Sequence, residues 1–214
     1  MFAAPVISDH ATKSAAGLKE WNNIVGAVFA GCSVDAVGDR FVGELWGCDI
    51  DELKLVRVRA EASKVGRWSN GSPMHTSGSV LLHLQSSGRS INRQCGRSEV
   101  IEEGHGALCD PDRFYAVDFL TPYEMFVLKL PITGILAREP SFDLERLSGQ
   151  KLEIRRSQLL VAFLRAAVMQ RDCLENDPDW RDCVSRTSLD LAMRAIIRAD
   201  EHAVVGTSAE LRRA

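Results

Sequence analysis

The chain has 214 residues, with 26 basic and 29 acidic side chains and a formal net charge of −3. Hydrophobic residues make up 45% and charged residues 26%, a globular mix that excludes collagen-like, fibrous and disordered chains. The slightly acidic balance offers no broad electrostatic footprint for nucleic acid, and no apolar run approaches the ~18 residues of a membrane helix. Residues 1–17 read as a loose arm without the basic start and apolar core of a signal peptide. Over 18–30, Leu18, Trp21, Ile24, Val25 and Val28 recur at helical spacing and predict an amphipathic helix. Strands are predicted over 40–46, 53–65, 79–85, 89–94, 97–102, 106–109, 113–119 and 124–130. The clearest is 53–65: Val56, Val58, Ala60 and Ala62 share one face, and Leu55, Arg57, Arg59, Glu61 and Ser63 the other. Gln94-Cys95-Gly96 and Gly104-His105-Gly106 read as turns between strands. Many short strands at this spacing predict an all-β barrel or jelly roll.

Near Ser148 the pattern changes: glycine thins out and the apolar spacing becomes helical, while the charge balance stays level. Leu159, Leu160, Phe163, Leu164, Ala167 and Val168 form one stripe over 157–171. Asp177-Pro178 reads as an N-cap and first helical position, and Leu189, Met193, Ile196 and Ile197 continue a second stripe. The helices either cover the barrel core or form a dimer interface. The expected fold class is mixed and mainly β, a jelly-roll barrel (1–147) followed by an antiparallel helical pair (148–214).

Catalytic constellations are absent. Cys32, Cys48, Cys95, Cys109, Cys173 and Cys183 form no CxxC pair, and read as free thiols of a reducing cytoplasm. A metal-dependent β-barrel enzyme needs an HxH pair, a Glu and a distant His converging on one ion. His83 has no partner two residues away and His105 falls on a turn; GxSxG, P-loop and HExxH motifs are missing. The expectation is no catalytic residue, no metal and no cofactor. A cupin-fold enzyme, recognisable by stoichiometric bound metal, and a partner-binding module are the rival classes.

Gly88-Arg89, Gln94-Cys95-Gly96-Arg97, Glu103-Gly104-His105-Gly106, Asp110 and Tyr115 follow one another in a recognisable order. This run resembles the sensor domain of AraC/XylS-type transcription regulators, where a QxGR hairpin precedes PGD and a strand ending near a tyrosine. Glu103-Gly104-His105-Gly106 replaces the PGD turn and is a departure. Trp21, the 53–60 strand with its two arginines, the segment FVLKLP at 126–131 and the tail helices fit the same pattern. SAELRRA at the end is similar to the linker before the family's helix-turn-helix domain. The resemblance implies a cupin-like ligand pocket, a homodimer through the tail helices, and contact with DNA only through a further C-terminal domain of ~100 residues. It implies a cytoplasmic activator with no membrane partner.

The ligand is read from the arginines. Arg89, Arg93 and Arg97 form two overlapping RxxxR motifs, and a guanidinium fork binds phosphate bidentately and stacks on a purine. RxxxR is half of the c-di-GMP signature of PilZ domains; the other half, (D/N)xSxxG, is approximated by Glu61, Ser63 and Gly66, in reversed order. Glu61 suits a guanine edge, Ser63 a phosphate or base, and Gly66 a close backbone approach. Arg67 and Trp68 add charge and a stacking surface. The combination resembles a c-di-GMP-responsive branch of the family, the CuxR type. The competing reading makes Arg89 and Arg93 solvated strand-edge charges. The alternative ligand is a small aromatic or other organic acid in the barrel interior, held by Arg57 and Arg59 near Trp46, His83 and Tyr115. If no ligand neutralises those arginines, Glu44 or Glu61 is the expected partner.

Overall fold

The computed structural model describes residues 12–29, 31–38, 40–67, 78–152 and 154–210. Trp68, most of the N-terminal arm and the last four residues of the predicted linker lie outside them. In chain order the elements begin with β1 (Lys13–Ala15), α1 (Leu18–Val28), β2 (Cys32–Ala36), β3 (Gly43–Ile50), β4 (Leu53–Ala60), β5 (Ser63–Arg67) and β6 (Ser79–Ser87). Then come β7 (Arg89–Gln94), β8 (Arg97–Glu102), β9 (Gly106–Cys109), β10 (Tyr115–Phe119) and β11 (Tyr123–Pro131). The C-terminal part holds α2 (Ile132–Arg138), α3 (Leu144–Leu147), β12 (Lys151–Leu152), α4 (Ile154–Met169), α5 (Arg171–Asn176) and α6 (Pro178–Glu210).

The strands form two antiparallel sheets of a cupin-like jelly roll. One has the order β1-β3-β4-β11-β6-β9-β12 and the other β2-β5-β10-β7-β8. Between them lies a core that includes Trp21, Val34, Phe41, Val58, Val117 and Phe119. The seven-stranded sheet is covered on its other face as well. There Trp46, Ile50, Leu55, Leu82, Phe126 and Leu128 pack with Leu160, Leu164, Leu189 and Ile196 of the helices. A strand buried on both faces reads as a continuous apolar run rather than an alternation. This explains VLLHL in β6 and MFVL in β11. The C-terminal region is therefore continuous with the barrel: β12 pairs with β9, and α6 packs against α4 beside the sheet.

The predicted strand 53–65 is two strands. A corner at Glu61-Ala62 carries the chain from β4 in one sheet to β5 in the other. The alternation holds only to Ala60. Ser63 is fully buried instead of sharing the face of Arg57 and Arg59. The short strands β1, β2 and β12 and the helices α2, α3 and α5 went unpredicted; each is too short to show a period. The hairpin at Gln94-Cys95-Gly96 forms with Cys95 at φ 51° and Gly96 at φ 74°, the two positive angles a two-residue turn of the twisted type requires. Asp177 caps α6 by accepting from the Trp180 amide at 3.0 Å.

Helix α1 lies across the sandwich. Asn22 docks it by accepting from Val34 N at 2.7 Å and donating to Val34 O at 2.8 Å. Trp21 is fully buried against Gly43, where a Cβ would stand 2.6 Å from the indole ring. Replacing Gly43 by Ala is expected to destabilise the fold by about 1–3 kcal/mol, the cost of overpacking a tight core. A urea melt checks it, and a midpoint equal to wild type contradicts it.

Candidate functional site

The arginines singled out in the sequence sit on the five-stranded sheet, with the two motif halves separated by β10 alone. Arg93 pairs in register with Ala116, which pairs with Gly66. Side chains alternate across a sheet, so Arg89, Arg93 and Gly66 share its outer face. Arg93 Nη1 donates to Asp118 Oδ2 at 2.6 Å, and Arg89 Nε stands 3.9 Å from Glu102 Oε1; both arginines remain about half exposed. Gly66 is buried and Glu61 is exposed at the β4–β5 corner.

Three of the proposed ligand residues are turned elsewhere. The two-residue turn pairs Arg93 with Ser98 and Arg97 with Gln94, so Arg93 and Arg97 lie on opposite faces of the sheet. Arg97 Nη1 donates to the Ser148 carbonyl at 2.9 Å and ties the hairpin to the end of α3. Arg67, in register with the buried Tyr115, donates to the Pro111 carbonyl. Ser63 lies in the core beside Tyr123, whose hydroxyl is pushed up by burial and partly relieved by Ser63. The picture of a ligand bridging Arg93 and Arg97 to the 61–68 segment is corrected accordingly.

The interior between the sheets holds a cavity of about 40 Å³, room for water rather than an aromatic acid. His83 and Tyr115 line it, with Cys32 Sγ 2.9 Å from the Tyr115 hydroxyl. Burial lowers the His83 pKa to about 4 and keeps the imidazole neutral. Its Nδ1 meets no hydrogen-bond partner among the described residues. Trp46, Arg57 and Arg59 do not line this cavity: the β4 and β3 alternation turns them toward the helices.

There Trp46 is buried in the core, while Arg57 and Arg59 border a cleft of about 1090 Å³, walled by β4 and β11 on one side and by α4 and the start of α5 on the other. At its floor Glu124, nearly buried, accepts from Arg57 Nε at 3.0 Å, from Arg59 Nε, and from Ser86 Oγ at 2.7 Å. Arg165 Nε lies 4.0 Å from the same carboxylate, and Arg165 Nη2 donates to Ser86 O at 3.0 Å and to Ser86 Oγ at 2.6 Å. Burial pushes the Glu124 carboxyl up, but the hydrogen bonds from Ser86, Arg59 and Arg57 outweigh it and hold the carboxyl below its ordinary range. Glu44 is a weaker partner of Arg57, at 3.8 Å. Sequence reading named Glu44 and Glu61 and missed Glu124. The signal was present: Glu124 is the lone acid of β11 and directly precedes its apolar run Met125–Leu128.

Among the described residues no group of three or more His, Cys, Asp or Glu is placed to hold a metal ion, and no helix is long and apolar enough to cross a membrane. The model of the AraC-binding-like domain matches residues 21–197 of the chain. Among solved structures, the AraC-like transcriptional activator CuxR is similar at 18% identity and a TM-score of 0.71, over 87% of this chain and 70% of that one. KdgF from Halomonas sp. is similar at 13% identity and a TM-score of 0.34, over 46% of this chain and 86% of that one. A cupin domain of an XRE family transcriptional regulator from Enterobacter cloacae is similar at 12% identity and a TM-score of 0.32, over 47% and 96%. The first of these shares the fold. No curated protein matches the chain.

Proposed function

Because the chain belongs to the AraC-binding-like domain family, we propose that it is the ligand-sensing and dimerisation domain of an AraC-type transcription activator, with c-di-GMP as the ligand. DNA is contacted through a further domain. What carries the ligand reading is the pair Arg89 and Arg93 on one outer face of the five-stranded sheet, each held by a single carboxylate and half open to solvent. Spaced by four residues, they stand ~13 Å apart along one strand. Their long side chains can converge from that span onto the phosphates of one cyclic dinucleotide, which its small ring holds closer together. Ala116 beside Arg93 leaves a flat strip on which a base can lie, with Glu61 at the sheet corner as an acceptor for a guanine edge. In this reading Arg97 and Arg67 hold the frame through backbone carbonyls rather than touching the ligand.

The tail helices serve both as core cover and as dimer surface. Their buried stripe covers the seven-stranded sheet, while Leu159 on α4 remains 61% exposed. Ligand binding acts by favouring one arrangement of the helices over another, which requires different affinities for the two states.

Titration calorimetry of the full chain with c-di-GMP, against GTP and benzoate, tests the assignment. Saturable binding is expected for c-di-GMP, and of the three ligands its affinity alone is expected to depend on Arg93. Arg93→Ala is expected to weaken it at least about tenfold, the low end for losing a charged hydrogen bond. The substitution removes one exposed ion pair and leaves the fold intact, because such pairs contribute only about 0–1 kcal/mol. Unchanged affinity in that variant overturns the assignment.

A further inference from the structure

The sheet–helix cleft plays no part in the function proposed above, and its chemistry is that of an anion site. Three guanidiniums, those of Arg57, Arg59 and Arg165, surround the single carboxylate of Glu124. Glu44 offsets one further charge from 3.8 Å. Positive charge is left over at the floor. Around the mouth, Arg171 adds one positive charge and Asp172 and Glu61 two negative ones, so the lining as a whole is neutral and the positive excess is confined to the floor.

The guanidiniums are also held in place. Glu124 takes Arg57 and Arg59 by their Nε atoms and Glu44 stands beside Arg57 Nη1, which leaves the end of the Arg59 fork for an incoming oxyanion. Arg165 is fixed by two bonds to Ser86. Arg59 and Arg165 are each about half exposed, on opposite walls of the cleft. Binding there orders few side chains, so little is lost to immobilisation. The apolar lining, from Val42, Pro122, Phe126, Val168 and Met169, suits a ligand with a hydrophobic or flat body. At about 1090 Å³ the space lies at the upper end for small-molecule sites, far beyond a lone inorganic ion.

We propose that this cleft is a second binding site, for an organic oxyanion whose charged group lies between Arg59 and Arg165 and whose body lies against the exposed Val42 and Met169. The shared chemistry is a phosphate or carboxylate on a nucleotide-sized or aromatic body. Such a ligand spans two layers: Arg59 belongs to β4, and Arg165 to α4 in the helical layer. Its occupancy pins that layer to the sheet.

The test titrates 5′-GMP, benzoate and inorganic phosphate into the full chain, its Arg59→Ala variant and its Arg93→Ala variant. Arg59 is half exposed, and Glu124 keeps Arg57 and Ser86 when it is lost, so the variant folds. Either GMP or benzoate is expected to bind at least tenfold more tightly than inorganic phosphate. That binding should fall at least tenfold in Arg59→Ala and stay unchanged in Arg93→Ala. GMP and benzoate distinguish a phosphate from a carboxylate ligand. Three results overturn the proposal: no saturable binding of GMP or benzoate, inorganic phosphate binding as tightly as either, or affinity that survives Arg59→Ala. The same variants separate this site from the sheet face. Loss of c-di-GMP binding in Arg59→Ala with retention in Arg93→Ala places the dinucleotide in the cleft and overturns the sheet-face reading.

Discussion

A chain ending at Leu147 is expected not to fold into a soluble domain, although it keeps all but two residues of the strands. The reason lies in the second face of the seven-stranded sheet. Trp46, Ile50, Leu55, Leu82, Phe126 and Leu128 are each at most 1% exposed, and they pack on the helical side. Without α4 and α6 that face meets water. Uncovering one large apolar side chain costs about 1.5–3 kcal/mol. Six of them together cost about 9–18 kcal/mol, as much as the whole ~5–15 kcal/mol net stability of an ordinary domain. The edge suffers too, because β9 loses its partner β12, and Arg97 loses its Ser148 carbonyl. Expression of residues 1–147 beside the full chain, followed by circular dichroism melts, checks this. A soluble fragment with a cooperative melt contradicts it and makes the barrel an independent unit.

Glu124→Ala is expected to destabilise the protein by about 3 kcal/mol, the low end for stripping one partner from a buried ion pair. The low end applies because Arg59 and Arg165 are half exposed and regain solvent when the carboxylate is lost. Arg57, at 18% exposure, regains less. For a chain of this length the melting temperature should fall by about 6–12 °C. The effect depends on pH in a definite direction. The folded-state carboxyl sits below its ordinary value of 4.5. Its stabilising contribution is therefore fully present above that value and is lost as pH falls through the lowered one. Wild type and variant should differ most near neutral pH and converge in acid. Equal melting temperatures at pH 7, or a difference that persists unchanged into strong acid, contradict the role given to Glu124.

Much of the architecture was legible because it rests on local patterns. The spacing of Leu18, Trp21 and Val25 marks α1, the alternation of Val56, Val58 and Ala60 marks β4, and Asp177-Pro178 marks the start of α6. The Cys95-Gly96 turn follows from the positive φ it demands. The candidate site was less legible. The shared outer face of Arg89, Arg93 and Gly66 was readable from strand alternation. Their company was not, since the turn length decides on which face Arg97 stands, and RxxxR spacing alone is silent about it.

The chain by itself determined a β-rich barrel with a helical C-terminal part, a family resemblance and a set of arginines whose partners it left open. Periodicity and turn chemistry act over a few residues, so they survive in one dimension. Only the tertiary structure decided that the strand at 53–67 divides between two sheets at Glu61-Ala62. It alone turned Arg57 and Arg59 out of the barrel and onto Glu124, more than sixty residues away. Those outcomes depend on strand register and on which sheet face the helices cover. Both are set by burial of the whole apolar surface at once, and no short window of sequence contains that information.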